Sequence, residues 1–352
     1  MSRCGKILSV FLFASALLSG AWGNAWGQDY IEGEALVVMK GMSGGPGLHT
    51  KASLEASETR VAESAASLAG GRVATLHGYM TPESDKVFAL IKSDSKTTEQ
   101  LIDELKANPD VIAASPNRVV SVSGNPQGYT GKLTGNPNQW GLAAINAPTA
   151  WNWDIPAIPP LSANDYWGSR SIKVAVIDSG VQSGYNYFNE IDNPKFSNLD
   201  IGNSKDFTKS SVGIDDENGH GTHVSGIIGA APGASHQIVG VSPRVSIITL
   251  KVVGSDGKGD VSNVLRALKH VSDLIDKKNR IKVINLSLGW GYKNAKSPSD
   301  LLGTAEYMAF KEMDDREDAP IIVVAAGNKS LRRRSDICVD ADQPRRLLCD
   351  LI

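Results

Sequence analysis

The feature that most constrains the fold is a set of apolar runs in the second half of the chain. Four runs rich in Val, Ile and Leu span residues 172–177, 245–253, 281–288 and 320–326. Strands of this composition are buried on both faces, which is typical of a parallel sheet covered by helices. Helical patterns lie between the runs, at residues 220–229, 261–276 and 299–316. This alternation predicts an α/β domain built on a doubly wound parallel sheet.

A smaller set of elements precedes this domain. Extended segments are predicted at residues 34–39, 72–76, 86–91, 111–114 and 118–122, and helices at 52–68 and 97–108. Thr97 and Gln100 have the spacing of a capping box, and Pro109 ends the second helix. The order β-α-β-β-α-β predicts a small ferredoxin-like α+β domain.

Length and charge limit the class of protein. The chain has 352 residues, of which 41% are hydrophobic and 21% are charged, so it is an ordinary globular sequence with room for two domains. Its net charge of −2 offers no electrostatic basis for binding nucleic acid or an anionic membrane surface.

The first 27 residues have the layout of a secretory signal peptide. Arg3 and Lys6 precede an apolar run at 7–18, and small residues follow up to Gly27. A membrane anchor is the alternative, but this run is too short to span a bilayer comfortably. We therefore expect a secreted or periplasmic protein with no membrane association after cleavage. Residues 123–138, rich in Gly, Pro, Asn and Gln, predict an exposed linker before the second domain at 139–330.

Two residues with acid–base chemistry lie at the predicted carboxyl edge of the parallel sheet, where ligands bind in open α/β folds. Asp178 ends the first apolar run, and His220 opens a helical pattern between two glycines. A carboxylate that orients an imidazole is half of a nucleophilic catalytic site. The alternatives are an Asp178 that caps a turn, and a metal site formed by His220 and His223. The metal site lacks an HExxH-type glutamate and a third ligand.

Four segments in this half of the chain resemble the subtilisin-like serine proteases, or subtilases, whose catalytic residues follow the order Asp, His, Ser. They are Ile-Asp-Ser-Gly at 177–180, Asn-Gly-His-Gly-Thr-His-Val-Ser-Gly at 218–226, Ile-Asn-Leu-Ser-Leu-Gly at 284–289 and Val-Val-Ala-Ala-Gly-Asn at 323–328. The resemblance implies that Asp178 orients His220, that His220 is the general base, and that Asn328 donates to the oxyanion.

The same resemblance implies how a substrate is held. Two extended edges would pair with an unstructured protein or peptide substrate. Their residues are Gly257, Gly259, Ser287, Leu288 and Gly289. No cofactor is implied. Calcium stays open at Asp215 and Asp216, for which solvated loop charges are the favoured interpretation.

Residues 28–122 resemble the inhibitory propeptide of subtilases. The resemblance rests on residues 101–117, where a helix leads into Asn-Pro-Asp-Val at 108–111 and Ser-Pro-Asn at 115–117. It implies that the propeptide binds its own protease domain and is removed by cleavage near the linker.

The nucleophile segment of the family, Gly-Thr-Ser-x-Ala, does not occur in the 352 residues. Composition also changes at residue 331: residues 331–352 hold five Arg and no Lys, whereas residues 1–330 hold nine Arg and 22 Lys. We hypothesise that the reading frame is lost near Lys329 or Ser330. Residues 331–352 would then be an atypical tail without the family's strands and helices, and the chain a truncated, inactive protease precursor.

Two alternatives from other functional classes stay open. One is a non-catalytic protein whose propeptide-like domain inhibits or binds related proteases. The other is an inactive protease domain retained as a peptide-binding module.

Overall fold

The structure is a computed structural model. It describes residues 30–41, 51–122, 139–147, 150, 168–184, 188–189, 197–231, 238–290, 301–325 and 347–350. The predictions for the signal peptide at 1–27, the linker at 123–138 and Asn328 lie outside these residues. None of the helices described here is both long and apolar enough to cross a bilayer.

The N-terminal unit has two helices on one face of an antiparallel sheet. Its elements are β1 (Tyr30–Lys40), α1 (Lys51–Leu68), β2 (Arg72–Tyr79), β3 (Lys86–Lys92), α2 (Thr98–Lys106) and β4 (Val111–Val122). Within this unit the strand order is β4-β1-β3-β2. One face of the sheet packs on α1, which presents alanines, and on α2, which presents Leu101 and Leu105. The predicted β-α-β-β-α-β order of elements is present.

The predicted capping box starts α2. Thr97 Oγ1 accepts a hydrogen bond from the backbone nitrogen of Gln100 at 3.2 Å, and Gln100 Oε1 accepts one from the backbone nitrogen of Thr97 at 3.0 Å. Two amides that the helix itself leaves without partners are thereby satisfied. The capping prediction is confirmed.

The C-terminal unit contains a six-stranded parallel sheet in the order β12-β11-β9-β5-β7-β6. Its elements are α3 (Trp140–Ala144), β5 (Lys173–Asp178), β6 (Lys205–Asp206), α4 (His220–Gly229), β7 (Ser246–Lys251), β8 (Lys258–Asp260), α5 (Val261–Asp276), β9 (Ile281–Leu286), β10 (Leu288–Trp290), α6 (Ala305–Asp314), β11 (Ile321–Ala325) and β12 (Leu347–Asp350). All strand pairs within the six-stranded sheet are parallel. The predicted parallel sheet is confirmed.

Helices cover both faces of this sheet, as its apolar strands require. Val174 and Val176 of β5 belong to the cluster packed against α4. Ala175 and Ile177, which point the other way, belong to the cluster that contains α5 and α6. That cluster also includes Phe88 and other residues of the N-terminal sheet, so α5 and α6 fill the layer between the two sheets.

Two elements differ from the sequence predictions. Helix α6 begins at Ala305 rather than near residue 299, because Thr304 Oγ1 accepts from the backbone nitrogen of Tyr307 at 3.3 Å and caps it there. In the tail, where no strand was predicted, β12 pairs in parallel with β11, matching Leu348 to Val323. An edge strand leaves a row of backbone donors and acceptors unpaired, and a short apolar segment can complete that row.

Candidate active site

Asp178 is held at the carboxyl end of the central strand β5. Its side chain is fully buried, and Oδ1 accepts from the backbone nitrogen of Ser179 at 2.7 Å. The chain then turns at Gly180, whose φ is +112°. A Cβ there would lie 2.5 Å from the Ile214 carbonyl oxygen, so both the backbone conformation and the available space require glycine.

His220 is the first residue of α4 and reaches the same point. Its Nδ1 lies 2.8 Å from Asp178 Oδ1 and 3.0 Å from Oδ2. An Nδ1–H that donates to a carboxylate fixes the imidazole tautomer and leaves Nε2 to act as the proton acceptor. The structure therefore brings together the two side chains that the sequence assigned to acid–base chemistry.

The close approach of α4 to the Asp178 turn depends on Gly221. A Cβ at this position would overlap the Gly180 carbonyl oxygen and lie 3.2 Å from Asp178 Cβ. The helix can therefore seat its N-terminus against the end of β5 only with glycine here.

A second buried carboxylate, Asp216, lies beside this pair. Its Oδ1 accepts from Ser179 Oγ at 2.8 Å and from the backbone nitrogens of Asn218 at 3.0 Å and Gly219 at 2.8 Å. Its Oδ2 accepts from the Thr222 backbone nitrogen at 2.9 Å and from Thr222 Oγ1 at 2.7 Å. Burial alone would raise the pKa of Asp216, but the hydrogen bonds from Gly219, Thr222 and Asn218 outweigh it and lower that pKa.

The interpretation of Asp215 and Asp216 as solvated loop charges is therefore wrong for Asp216. It is 2% exposed, because the loop folds its carboxylate inward onto the amides at the start of α4. Asp215 is partly exposed, and its Oδ1 accepts from Ser183 Oγ at 2.7 Å. Within the described residues no group of three His, Cys, Asp or Glu side chains is arranged to hold a metal ion.

Lys251 is a buried residue that sequence reasoning missed. It ends β7 directly opposite Asp178 in the β5–β7 register, and its side chain has no exposed surface. Its Nζ donates to the Asp215 carbonyl oxygen at 2.6 Å and to Glu217 Oε2 at 3.0 Å. The ammonium thus holds the loop that carries Asp216. A lysine inside a buried apolar run was the available signal.

The end of β4 lies between two short strands of the C-terminal unit. On one side it pairs antiparallel with β8, matching Val120 to Gly259, and on the other with β10, matching Ser121 to Gly289. Leu288 pairs with Val122, whose backbone nitrogen donates to the Gly257 carbonyl oxygen at 3.1 Å. Four of the five residues predicted to hold an extended peptide therefore contact this segment of the chain itself.

Ser287 is the exception. It lies between β9 and β10, outside the ladder with β4, and its Oγ accepts from Asn285 Nδ2 at 3.1 Å. The chain leaves the parallel sheet at this residue before β10 turns to pair with β4.

Val120 is the buried anchor of the segment. Its side chain has no exposed surface and packs in the same cluster as Leu288. Trp290 pairs with Val120 across the ladder and stacks on Phe310, with ring centroids 6.3 Å apart. Opposite, a Cβ on Gly259 would overlap the Val252 carbonyl oxygen and approach Val120 Cγ2 to 3.2 Å, so this position requires glycine.

Polar side chains of β4 also contact the N-termini of two helices in the C-terminal unit. Asn117 Oδ1 accepts from the backbone nitrogen of Ser262 in α5 at 3.0 Å. Ser115 Oγ accepts from the backbone nitrogen of Ala305 in α6 at 3.2 Å and donates to Glu306 Oε2 at 3.0 Å. The N-terminal unit thus satisfies donors that these helices cannot satisfy internally.

Two predicted residues remain, His223 and Asn328. His223 lies on the exposed side of α4, where partial desolvation and, secondarily, the nearby His220 lower its pKa. The structure brings no third metal-binding side chain to this histidine pair within the described residues. Asn328 follows β11 but lies outside the described residues, so its predicted role stays a prediction.

Comparisons with known proteins identify the family of this chain. The model of the subtilase family matches residues 169–345, just over half of the chain. A subtilisin from Bacillus sp. strain TA39 is 26% identical over 255 residues, which cover 71% of this chain and 50% of that protein. The minor extracellular protease Epr of Bacillus subtilis strain 168 is 26% identical over 330 residues, covering 92% and 40%.

Among solved structures, fervidolysin from Fervidobacterium pennivorans, a keratinolytic enzyme related to subtilisin, is 20% identical with a TM-score of 0.49. That match covers 87% of this chain and 41% of fervidolysin. The chain spans half or less of the length of these relatives. The family match extends into the region after residue 330 that the sequence set apart as a tail. On the matched range, the chain belongs to the subtilase family.

Proposed function

We propose that this chain is the precursor of a secreted subtilisin-type serine endopeptidase that hydrolyses unstructured protein or peptide substrates. The observation that carries the proposal is the 2.8 Å contact between His220 Nδ1 and Asp178 Oδ1 at the carboxyl edge of the parallel sheet. The family match and the similarity to bacterial proteases support it.

In this proposal the residues divide the work of acyl transfer. Asp178 accepts the Nδ1 proton and stabilises the imidazolium, while His220 Nε2 takes the proton of the nucleophile and returns it to the leaving amine. Asn328 donates to the developing oxyanion, a contribution worth about 10²–10³ in turnover in subtilisin. The edges around Gly257, Gly259, Leu288 and Gly289 hold the substrate backbone.

The serine of this triad is not among the 352 residues, because no Gly-Thr-Ser-x-Ala segment occurs in them. We therefore propose that a polypeptide of these residues alone does not hydrolyse peptides. Loss of the nucleophile lowers turnover about 10⁶-fold in subtilisin.

We further propose that residues 28–122 act as an inhibitory, ferredoxin-like propeptide. The pairing of Ser121 with both Lys258 and Gly289 supports this, since an extended segment between two strands occupies the place of a substrate. Similarity to the Epr protease over 92% of the chain is consistent with a precursor that includes this unit.

The test begins with the coding sequence downstream of Ile352, read in all frames for Gly-Thr-Ser-x-Ala. A protein that joins residues 1–328 to that segment is expected to hydrolyse casein, and His220→Ala in it to lose nearly all of that activity. The 352-residue chain serves as the inactive control. A joined protein whose activity survives His220→Ala would refute the proposed roles.

A second candidate function is a non-catalytic inhibitor or binder of related proteases. It is favoured by one observation, the end of β4 lying in a peptide-like position between β8 and β10. Titrating the full chain and residues 28–122 against an active subtilisin-type enzyme tests it. Nanomolar inhibition supports this function, and no inhibition by either polypeptide rejects it.

A further inference from the structure

We propose that Asp216 is a positioning residue that locks the turn after Asp178 to the helix that begins at His220. The inference rests on the proposed function, since it concerns the same carboxylate–imidazole pair. It adds a residue that touches neither the substrate nor the reacting atoms and acts through its neighbours.

On the strand side, the connection runs through Ser179. Its backbone nitrogen holds Asp178 Oδ1 at 2.7 Å, while its Oγ donates to Asp216 Oδ1 at 2.8 Å. The same Oγ accepts from the backbone nitrogen of Gly221 at 2.9 Å. One side chain thus joins the Asp178 turn, the Asp216 carboxylate and the first turn of α4.

On the helix side, Asp216 replaces a conventional cap. The N-cap position of α4 is Gly219, with φ of 96° and no side chain to accept the first amides. Asp216 accepts from the backbone nitrogens of Gly219 and Thr222 instead. A carboxylate at a helix N-terminus is also favoured by the helix dipole.

The geometry leaves little tolerance for another group. The two oxygens of Asp216 receive five hydrogen bonds from both sides of the catalytic pair. In Asp216→Asn, an NH2 group that can only donate replaces one of the two acceptor oxygens, so some of these five donors lose their acceptor. Hydrogen-bonded pairs depend on placement to within a fraction of an ångström, and a shift of α4 against β5 lengthens the bond between His220 and Asp178.

The experiment uses the full 352-residue chain labelled with ¹⁵N-histidine. It measures the low-field proton of the His220–Asp178 hydrogen bond and the titration midpoint of the His220 ring, assigned by their loss in His220→Gln. Two variants separate position from charge. Asp216→Asn removes the charge, and Ser179→Ala breaks the connection with no change of charge.

Both variants are expected to weaken the low-field resonance and to lower the His220 midpoint, by about one pH unit in Asp216→Asn and by less in Ser179→Ala. The matched control is Asp215→Asn, whose partly exposed side chain bonds only Ser183 in the described structure and which should change neither readout. If Asp216→Asn does not fold, the Ser179→Ala result decides.

Each other outcome overturns the inference. A shift in Asp216→Asn alone means that its charge acts at a distance and that Ser179 positions nothing. Unchanged readouts in both variants mean that Asp216 serves only the fold. If the unsubstituted chain lacks the resonance and His220 titrates as a free histidine, the catalytic pair and the proposed function fail together.

Discussion

Two glycines of α4 have opposite surroundings. Gly221 faces the Gly180 carbonyl oxygen without room for a Cβ, whereas Gly226 has no atom within 4 Å of the position that its Cβ would occupy. The site therefore needs glycine at position 221, whereas α4 merely tolerates glycine at position 226.

Gly221→Ala is expected to lower the free energy of unfolding by about 1–3 kcal/mol, because the added methyl pushes α4 away from β5. Gly226→Ala in the same helix is expected to raise it by about 0.5–1 kcal/mol, because alanine favours helix more than glycine does. Urea unfolding of both variants measures the difference. Equal effects would mean that α4 does not need its close approach to Gly180.

At the scale of elements, β4 is the strand that connects the two units. One part of it pairs with β1 in the N-terminal sheet, and its end pairs with β8 and β10. Val120 is fully buried at that end, while Ile112 on the same strand is 41% exposed. Ile112 can therefore serve as the exposed control for a substitution of the buried Val120 on the same strand.

Val120→Ala is expected to weaken the seating of this end by about 1–3 kcal/mol, through lost burial and the cavity left behind. Hydrogen exchange at the Val122 amide, which is bonded to Gly257, should become about tenfold faster or more. Ile112→Ala should leave that amide unchanged. Equal acceleration in both variants would indicate general loosening rather than loss of an anchor.

The start of α2 provides a second prediction at this scale. Thr97→Ala removes the acceptor for the Gln100 amide and is expected to cost about 0.5–2 kcal/mol, measured by urea unfolding. Thr97→Ser keeps a hydroxyl acceptor and should cost much less. A serine variant as unstable as the alanine variant would show that the methyl group of Thr97 matters, not its hydroxyl.

At the scale of the whole molecule, α5 and α6 are covered by a sheet on each side. His77 of β2 is buried at this junction, with Nε2 3.3 Å from Ser262 Oγ of α5. Burial, and secondarily the positive charge of Arg266, lowers the pKa of His77 to about 3. The neutral imidazole is therefore the form that the assembled molecule accepts.

The sign of the pH effect follows from this shift. The unfolded chain binds a proton at His77 below about pH 6.5, whereas the folded chain does not. The free energy of unfolding is therefore highest above that pH and decreases as the pH drops toward 3. Between pH 6.5 and 5, His77 should cost about 2 kcal/mol. Urea unfolding at pH 7.5 and 5 should show that loss reduced in His77→Gln. Identical pH slopes in the two proteins would contradict the burial of a neutral His77.

Local patterns in the sequence were enough to predict several features. Apolar runs predicted the parallel sheet, and a three-residue spacing predicted the cap at Thr97. The resemblance of the segments around Asp178 and His220 to subtilases implied that these two side chains meet. These features depend on hydrophobic periodicity and on the residues at the ends of helices and strands, which are visible within a short window of sequence.

Other features depend on which distant segments come together. Nothing near Asp216 in the chain indicates that its carboxylate folds onto Ser179, 37 residues earlier, and Lys251 carries no local sign of its contact with Asp215, 36 residues away. Whether a polar group is buried and satisfied is decided by the partners that packing supplies. The tertiary structure therefore decided the partners of Asp216 and Lys251, the separation of Ser287 from the peptide ladder and the pairing of β12. The sequence was enough to predict the parallel sheet and the Asp178–His220 pair at its edge.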